Sequence, residues 1–520
     1  MIRGAILLVV LLTFAAALAG YASLAAPTVM FGDSAELQTV ALAGGIPHAT
    51  GYPAFVLLGR LFARLPFSDH AFRITFMSCC FGAATVALFV LAFTALDLSI
   101  PSALAGALAL GASFTFWRSS LRAEVYTLGV FLGLLALWRT LAALRVSRRA
   151  PTLLAGFLCG LALTGHLSFI LPVAILGLTL AWHTARFQRP VIPSLTLLLV
   201  VFLLGLTPYL YLVWADTRHY AYDYLRLVDL VHSPSGARIP GFTSPWERVA
   251  WLVTGRNRFP VIPFAFDPEA TARNLLRSGT LLFLFELGPL ALPFVLLGMF
   301  RGLLGEPRTA IPLVLTGASS LLFTAAIAGG GMTHLFLLPC ALVCVVFLAA
   351  GIEPLLARRR VTGILVLLGV LLAPHLARIY ADRQPIGPWG LRVEEEDPTL
   401  ARTLLPSLRG FDTPRVYGEQ ALAAIPRGAL VVANWPELTN LFYFQVVEGQ
   451  RPDLTLSPTD GETLVQRLEG WQRSHAVSEA PFVFLSRPLD LPEAGAALDS
   501  LQLPLGRWIY VRRAPLMSAP

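Results

Sequence analysis

Over its first 380 residues the chain alternates long apolar runs with short polar clusters. The runs are about 16 to 25 residues long, a length that suits helices crossing a lipid bilayer. Arginine or proline clusters separate them, and the pattern predicts about eleven spans. Their predicted starts lie near Gly4, Ala71, Pro101, Ala123, Thr152, Pro172, Val191, Gly279, Ala310, Gly331 and Val361. The pattern therefore predicts a polytopic α-helical membrane domain over residues 1–380.

The remaining part, residues 381–520, carries more charges and short β-rich runs. The predicted strands are 428–433, 453–457, 481–486 and 508–512, and the predicted helices are 437–448 and 462–473. Such alternation indicates a small α/β domain with some parallel sheet. This segment has no glycine-rich phosphate loop, so its sequence does not support nucleotide binding.

Composition agrees with the membrane prediction. Of 520 residues, 56% are hydrophobic and 13% charged, and the mean hydropathy is +0.68. All 39 basic residues are arginine; 26 of them, against 14 acids, precede residue 381, while 13 against 17 follow it. The excess of arginine is thus explained by the flanks of membrane spans and their attraction to anionic lipid, which argues against nucleic acid as a partner. The five cysteines fall in apolar runs and predict neither disulfides nor a zinc site.

Arginine clusters in alternate loops predict the orientation in a bacterial inner (plasma) membrane. With the N-terminus inside, the clusters at 145–149, 186–189, 301–308 and 358–360 are cytoplasmic. The segments 27–70, 117–123 and 215–278 and the whole tail then face outward. The first apolar run has two interpretations: an uncleaved helix, or a signal peptide cleaved in the small-residue stretch that follows it.

The first outer loop brings two acids next to the first span. Asp33 and Glu36 are expensive to desolvate there, so they are candidates for a functional site. They are three residues apart and would share one face of a helix. One acid can then take a proton from an attacking hydroxyl while the other holds a partner or a metal ion. The alternative is an ordinary helix start, capped by Ser34 or Asp33.

The same loop continues with His48, Tyr52 and a short apolar segment that contains Arg60 and Arg64. His48 lies in a predicted turn, where a structural hydrogen bond is the simpler interpretation. The two arginines, four residues apart, would share one face of an interfacial helix. Their guanidinium groups suit the phosphate of a lipid carrier, although arginines near headgroups also snorkel without binding a ligand.

Further polar islands add candidates on the predicted outer side. Arg122, Glu124 and Tyr126 interrupt apolar sequence, and Glu124 could instead simply pair with an arginine. An ionisable group within a span, such as His166, should face the bundle interior or a cavity. The second long outer loop, 215–278, contains an amphipathic piece, Ser244–Phe259, that ends in Arg256 and Arg258. These two arginines indicate a phosphate clamp or a solvated face equally well. We expect these segments to meet at one outer site.

Several of these stretches resemble one family. They are GDSAE (Gly32–Glu36), HATGYPAFVLLGRLF (His48–Phe62), AEVYTL (Ala123–Leu128), GLALTGHL (Gly160–Leu167) and the tail segment Ile425–Leu454. Together they are similar to the polytopic membrane family known as domain of unknown function 2723. This family includes the transmembrane protein 260-like O-mannosyltransferases of animals. The sequence departs from the family pattern at Ala49 and Thr50, and at Asn434, Trp435 and Pro436.

The resemblance implies a GT-C type glycosyltransferase that takes a sugar from a polyprenyl-phosphate donor, with a catalytic acid in the first outer loop. The residues are compatible with that chemistry. Asp33 is our predicted base, with Glu36 beside it. The predicted phosphate ligands are Arg60, Arg64, Arg122, Arg256 and Arg258, and the predicted substrate contacts are His48, Tyr52, Glu124, Tyr126 and His166. A divalent ion is an option that the spacing does not require, and the acceptor would be a hydroxyl of a protein, lipid or glycan.

Two other function classes stay open. A transporter or flippase of lipid-linked sugars would need a midplane site and often internal repeats, and no clear repeat is visible. A non-catalytic scaffold would bind through the outer α/β tail and would not need the acidic loop.

Overall fold

The structure, a computed structural model, describes residues 2–67, 69–229, 244–255, 268–327, 333–383, 405–458, 482–485, 498–503 and 507–512. These residues are mostly helical, which confirms the predicted fold class. The helices are α1 (Ile2–Leu24), α2 (Gly32–Ala43), α3 (Pro53–Phe62), α4 (His70–Thr94), α5 (Ile100–Ala112), α6 (Phe114–Ser120), α7 (Val125–Leu144), α8 (Arg149–Gly165), α9 (Ile170–Phe187), α10 (Val191–Gly205), α11 (Leu210–Arg218), α12 (Tyr224–Asp229), α13 (Pro245–Val253), α14 (Pro268–Leu281), α15 (Ala291–Gly305), α16 (Pro307–Ile327), α17 (Thr333–Phe336), α18 (Leu338–Arg358), α19 (Arg360–Arg383), α20 (Thr413–Ala424) and α21 (Trp435–Val446).

Within the described residues, eight helices are long and apolar enough to cross a membrane. They are Gly4–Leu24, His70–Thr94, Val125–Leu144, Leu167–Phe187, Val191–Arg218, Pro307–Ala326, Leu338–Arg358 and Arg360–Ala381. Two bent pairs raise the number to ten if each is one span: α5 with α6, bent by 70°, and Pro268–Glu286 with α15, bent by 110°. The further segment that we predicted is α8, which at 17 residues is shorter than a typical span.

One compact unit comprises residues 1–25, 76–209 and 263–408 and holds most of these helices. At one end of it, Arg145 binds Asp97 at 2.7 Å and Glu306 at 3.2 Å. Arg145 and Glu306 belong to two of the loops predicted to be cytoplasmic, those at 145–149 and 301–308, so these two loops meet there.

Glycines allow two helices of this unit to approach backbone to backbone. A Cβ atom added to Gly298 of α15 would lie 1.9 Å from the carbonyl oxygen of Phe347 in α18, and one added to Gly351 of α18 would lie 1.9 Å from that of Phe294 in α15. Small residues at helix contacts are the usual way in which membrane helices pack closely.

Replacing Gly298 by alanine is therefore expected to destabilise the protein by about 1–3 kcal/mol, because backbone has to move to admit the methyl group. Thermal unfolding in detergent would measure the change. Gly177→Ala is the matched control, because no heavy atom lies within 4 Å of a Cβ built at that glycine in α9. Equal melting temperatures for the two variants would contradict the packing argument.

A second compact unit comprises residues 26–75, 210–262 and 409–520. Its sheet contains β1 (Leu430–Ala433), β2 (Thr455–Pro458), β3 (Phe482–Leu485), β4 (Leu498–Leu503) and β5 (Arg507–Arg512), in the order β2-β1-β3-β5-β4. Strand β1 is parallel to β2 and β3, whereas β5 is antiparallel to β3 and β4.

This sheet confirms the α/β character predicted for the tail. The four predicted strands and the predicted helix at 437–448 are present, β4 and α20 were missed, and the predicted helix at 462–473 lies outside the described residues. Contacts group most of the two predicted outer loops with the tail. The linear division into domains at residues 1–380 and 381–520 remains a prediction.

Candidate active site

The acid pair lies on α2 of the second unit, as predicted. The N-cap is Phe31, and its side chain makes no capping hydrogen bond. The N-cap is thus neither Ser34 nor Asp33, so helix capping does not explain why acids occur at these positions. Asp33 stands in the first turn of α2, where the helix dipole favours negative charge. Its side chain keeps 28% of its surface exposed, whereas that of Glu36 keeps 0%.

Buried Glu36 is surrounded by hydrogen-bond donors. Its Oε1 accepts the backbone N–H of His48 at 2.8 Å and the hydroxyl of Tyr222 at 2.7 Å. Its Oε2 contacts Nδ1 of the His48 ring. Burial, followed by the adjacent Glu36 carboxylate, holds the pKa of Tyr222 well above its ordinary value, so the tyrosine keeps its proton and donates it. Glu36 thus fixes both the backbone and the ring of His48.

The other side of the His48 ring faces Asp33. Its Nε2 lies 3.7 Å from Asp33 Oδ2 and 3.2 Å from the hydroxyl oxygen of Tyr52. The Tyr52 hydroxyl donates to the carbonyl oxygen of Ala49 at 2.6 Å. Glu36, His48 and Asp33 therefore form a line in which a buried acid orients an imidazole toward a partly exposed acid. Because each ring nitrogen of His48 has a different acid beside it, this arrangement fixes the orientation of the imidazole.

Residues that we did not predict complete this cluster. Trp435 donates its indole N–H to Asp33 Oδ1 at 2.6 Å. The Tyr224 ring lies edge-on to that of Trp435, with centroids 5.8 Å apart. Pairing between Ile46 and Asp223 brings Tyr222 and Tyr224 to the loop that carries His48. No local motif marked these three aromatic residues, and only the departure of Trp435 from the family pattern had drawn attention to it.

Asp33, Glu36 and His48 could together hold a metal ion. One ligand atom from each lies within 4.8 Å of the others. Two carboxylates and an imidazole suit a divalent ion such as Zn²⁺ or Mn²⁺. The donor set therefore fits an ion, which would supply Lewis acidity there. Binding of an ion by all three residues would replace the direct contact between Glu36 and His48.

Arg60 and Arg64 differ in environment. Helix α3 ends at Phe62, so Arg64 lies exposed in the following turn, and the helical face that we predicted for both is not formed. Arg60 is half-buried, and its Nη1 atom is buried without a hydrogen-bond partner among the described residues. Gly44, with φ +87°, makes room for it: a Cβ there would lie 2.7 Å from Nη1. Arg60 is the better candidate for an anionic ligand, because an unpaired buried N–H is costly.

The predicted residues of the helical unit form two local pairs. Arg122 Nε lies 3.0 Å from Glu124 Oε1, which is the simple pairing that we had weighed. The rings of Tyr126 and His166 are 4.7 Å apart. Both pairs are buried. His166 Nδ1 also accepts the backbone N–H of Ser168 at 3.1 Å, a structural role. Arg256 and Arg258 lie outside the described residues.

Comparison with known proteins confirms the family resemblance. Residues 33–189 match the family model described as Protein O-mannosyl-transferase TMEM260 N-terminal domain. The mouse (Mus musculus) Protein O-mannosyl-transferase TMEM260 is 35% identical over 193 residues, which is 35% of this chain and 26% of that protein. The Dictyostelium discoideum protein of the same name is 29% identical over 206 residues, 36% of this chain and 25% of that protein. The matches thus span about a quarter of the length of these relatives.

A solved structure has a similar fold along the whole chain. It is ArnT from Cupriavidus metallidurans bound to undecaprenyl phosphate, with a TM-score of 0.55, 12% sequence identity and coverage of 100% of this chain and 99% of that one. Similarity at this identity is similarity of fold, and it confirms the GT-C-like architecture that the sequence resemblance implied.

Proposed function

We propose that this chain, whose residues 33–189 match an O-mannosyl-transferase domain, is a membrane glycosyltransferase. It would move a sugar, mannose in the first instance, from a polyprenyl-phosphate donor to an acceptor hydroxyl. The names of its relatives support the reaction class, and the undecaprenyl phosphate named for the structural neighbour supports the donor class. We place the reaction on the extracytoplasmic face of a bacterial inner membrane, because the arginine-rich loops lie on the opposite side in the predicted topology.

The observation that carries the proposal is the environment of Asp33. It is a partly exposed carboxylate that accepts a hydrogen bond from half-buried Trp435 and faces buried His48. In the proposed reaction an acceptor oxygen attacks the anomeric carbon and forms the new glycosidic bond. The bond from that carbon to the phosphate oxygen breaks, the hydroxyl proton passes to Asp33, and polyprenyl phosphate leaves. A single displacement of this kind inverts the anomeric centre.

Arg60 is our candidate for the leaving phosphate. Negative charge grows on the phosphate as its bond to the sugar breaks, so a fixed guanidinium stabilises the transition state more than the ground state. The buried Nη1 of Arg60 has a hydrogen bond to offer, as far as the described residues show. Arg64, Arg122, Arg256 and Arg258 remain predicted phosphate ligands, and Tyr52, Glu124, Tyr126 and His166 remain predicted substrate contacts.

Glu36 acts through His48 in this proposal. Its side chain is fully buried, so it positions the imidazole and does not meet the acceptor. The His48 ring then presents its Nε2 atom to Asp33 Oδ2, at 3.7 Å. This division of labour between two acids matches the one that their spacing suggested.

Glu36→Gln is expected to lower the turnover number at least about tenfold, because an amide nitrogen would face His48 Nδ1 and disturb the ring's tautomer and orientation. Turnover measured across pH, with melting temperature in parallel, tests this. Tyr222→Phe is the control, since it removes one donor to Oε1 and leaves the contact between Oε2 and Nδ1. An equal loss in both variants would mean that Glu36 matters only for stability.

Proteoliposomes with the purified chain test the function itself. Radiolabelled polyprenyl-phosphate mannose and a serine- and threonine-containing peptide are supplied. We expect labelled peptide, from which an α- or β-mannosidase releases the labelled sugar. Movement of the labelled lipid across the bilayer without a glycosidic product would instead identify a flippase. Binding of peptide with neither product nor movement would identify a scaffold. Mass spectrometry of surface glycans after gene deletion would then show the natural sugar and acceptor.

A further inference from the structure

The indole of Trp435 is a fixed hydrogen-bond donor to the candidate base. An indole nitrogen donates and never accepts, so its partner must be an acceptor oxygen. The partner here is Asp33 Oδ1, at 2.6 Å. Hydrogen bonds to an ionised acceptor are roughly twice as strong as those between neutral groups. The contact therefore fixes the Asp33 carboxylate by its Oδ1 atom and leaves Oδ2 on the side of His48.

Helix α21 holds Trp435 against the start of α2 through two further contacts. Thr439 Oγ1 donates to the carbonyl oxygen of Gly32 at 2.9 Å, and Asn440 Nδ2 donates to that of Met30 at 2.9 Å. Trp435 and Thr439 are one helical turn apart and so share a face. Thr439 and Asn440 are fully buried, where hydrogen bonds are electrostatically stronger than in water.

Neighbouring rings fix the direction of the indole. The His48 ring lies 6.0 Å from the Trp435 ring at 85°, and the Tyr224 ring lies 5.8 Å from it at 88°. Edge-to-face packing on two sides leaves the indole little freedom to rotate. Its N–H is thus preorganised toward Asp33 instead of being recruited by it.

The sheet explains why a tail residue reaches this position. Trp435 follows β1 after one residue, and β1 lies between its parallel neighbours β2 and β3. The chain leaves β1 toward β2 through α21 and later returns on the other side as β3, so the carboxyl end of β1 is a topological switch point. Such points are where open α/β sheets form their ligand sites.

We propose that Trp435 is a positioning residue of the active site, which orients the Asp33 carboxylate through Oδ1 while Oδ2 faces His48. This inference rests on the proposed function, in which Asp33 is the base. It makes the C-terminal segment a working part of the catalytic unit.

Trp435→Phe tests the role, because it keeps an aromatic ring and removes the donor. We expect the turnover number to fall about ten- to a hundredfold, the loss typical of a hydrogen bond to a charged group, with little change in KM for the acceptor. A merely structural role would instead lower the melting temperature and the fraction of active enzyme, and would leave the turnover number of the folded enzyme unchanged.

Two further proteins make the test decisive. Trp117→Phe is the matched control, since the Trp117 indole donates to the Pro406 carbonyl oxygen at 2.9 Å in the other unit. Benzothienylalanine at position 435 keeps the shape of the indole without its N–H, and it replaces the phenylalanine variant if that one does not fold. We expect the loss of turnover at unchanged acceptor KM in this protein and not in Trp117→Phe.

The outcomes separate the inference from the proposed function. Wild-type turnover in both variants at position 435, with Asp33→Asn inactive, would overturn the role of Trp435 and leave the base in place. Full activity of Asp33→Asn would overturn the proposed function. Equal losses of turnover in the variants of Trp117 and Trp435 would reduce the indole contact to a stability role.

Discussion

Asp33→Asn is expected to lower the rate of sugar transfer by about 10²–10⁴-fold while the protein folds and binds its lipid donor. Asparagine is close to aspartate in size, and its amide oxygen can still accept the Trp435 N–H. The substitution therefore removes the negative charge of the carboxylate, and with it the proton acceptor, and changes little else. Single-turnover transfer from labelled polyprenyl-phosphate mannose, together with donor binding by the same preparation, measures the two effects separately.

Asp412→Asn is a suitable control for this experiment. Asp412 belongs to the same compact unit, is exposed, and stands at the start of α20 without a side-chain capping bond. Its replacement should leave transfer unchanged. Transfer at the wild-type rate by the Asp33 variant would exclude this carboxylate as the base.

Arg60→Ala is expected to reduce turnover by about 10²–10³-fold, which is the range for losing one preorganised donor to a developing anion. Donor affinity should fall less than turnover, because the charge on the phosphate grows toward the transition state. Steady-state kinetics with varied donor concentration would resolve the two quantities.

Arg64→Ala provides the comparison within the same short segment. Arg64 is exposed in the turn after α3, whereas Arg60 is half-buried beside Gly44. We expect at most a small loss for Arg64, since an exposed arginine is well solvated without a ligand. If both single variants lost activity equally, or if neither did, the buried guanidinium would not be the phosphate ligand.

Features with a local cause could be predicted from the sequence. Apolar runs of membrane length correspond to helices or bent helix pairs, since the bilayer forces each span to satisfy its own backbone. The three-residue spacing of Asp33 and Glu36 correctly predicted neighbouring acids on one helix. The alternation of short runs in the tail likewise predicted four of the five strands that the structure describes there.

Features that depend on distant contacts could not be predicted. Trp435 is 402 residues from Asp33 in sequence, and Tyr222 is 186 residues from Glu36. Hydrophobic periodicity carries no information about which remote side chain fills the space next to an acid. The end of α3 before Arg64 was missed for a different reason: helix boundaries are set by capping and tertiary packing, which spacing alone does not reveal.

The interleaved build of the second unit has a consequence for biosynthesis. The acids belong to its first piece, residues 26–75, and the indole to its last, residues 409–520. At about 5–20 residues per second, a ribosome needs roughly 20 to 80 seconds to travel from one to the other. During that interval the nascent chain contains Asp33 and Glu36 but not Trp435. Under the proposed role of Trp435, full transfer activity is acquired late in synthesis, and a polypeptide released before residue 435 would lack the contact that orients Asp33.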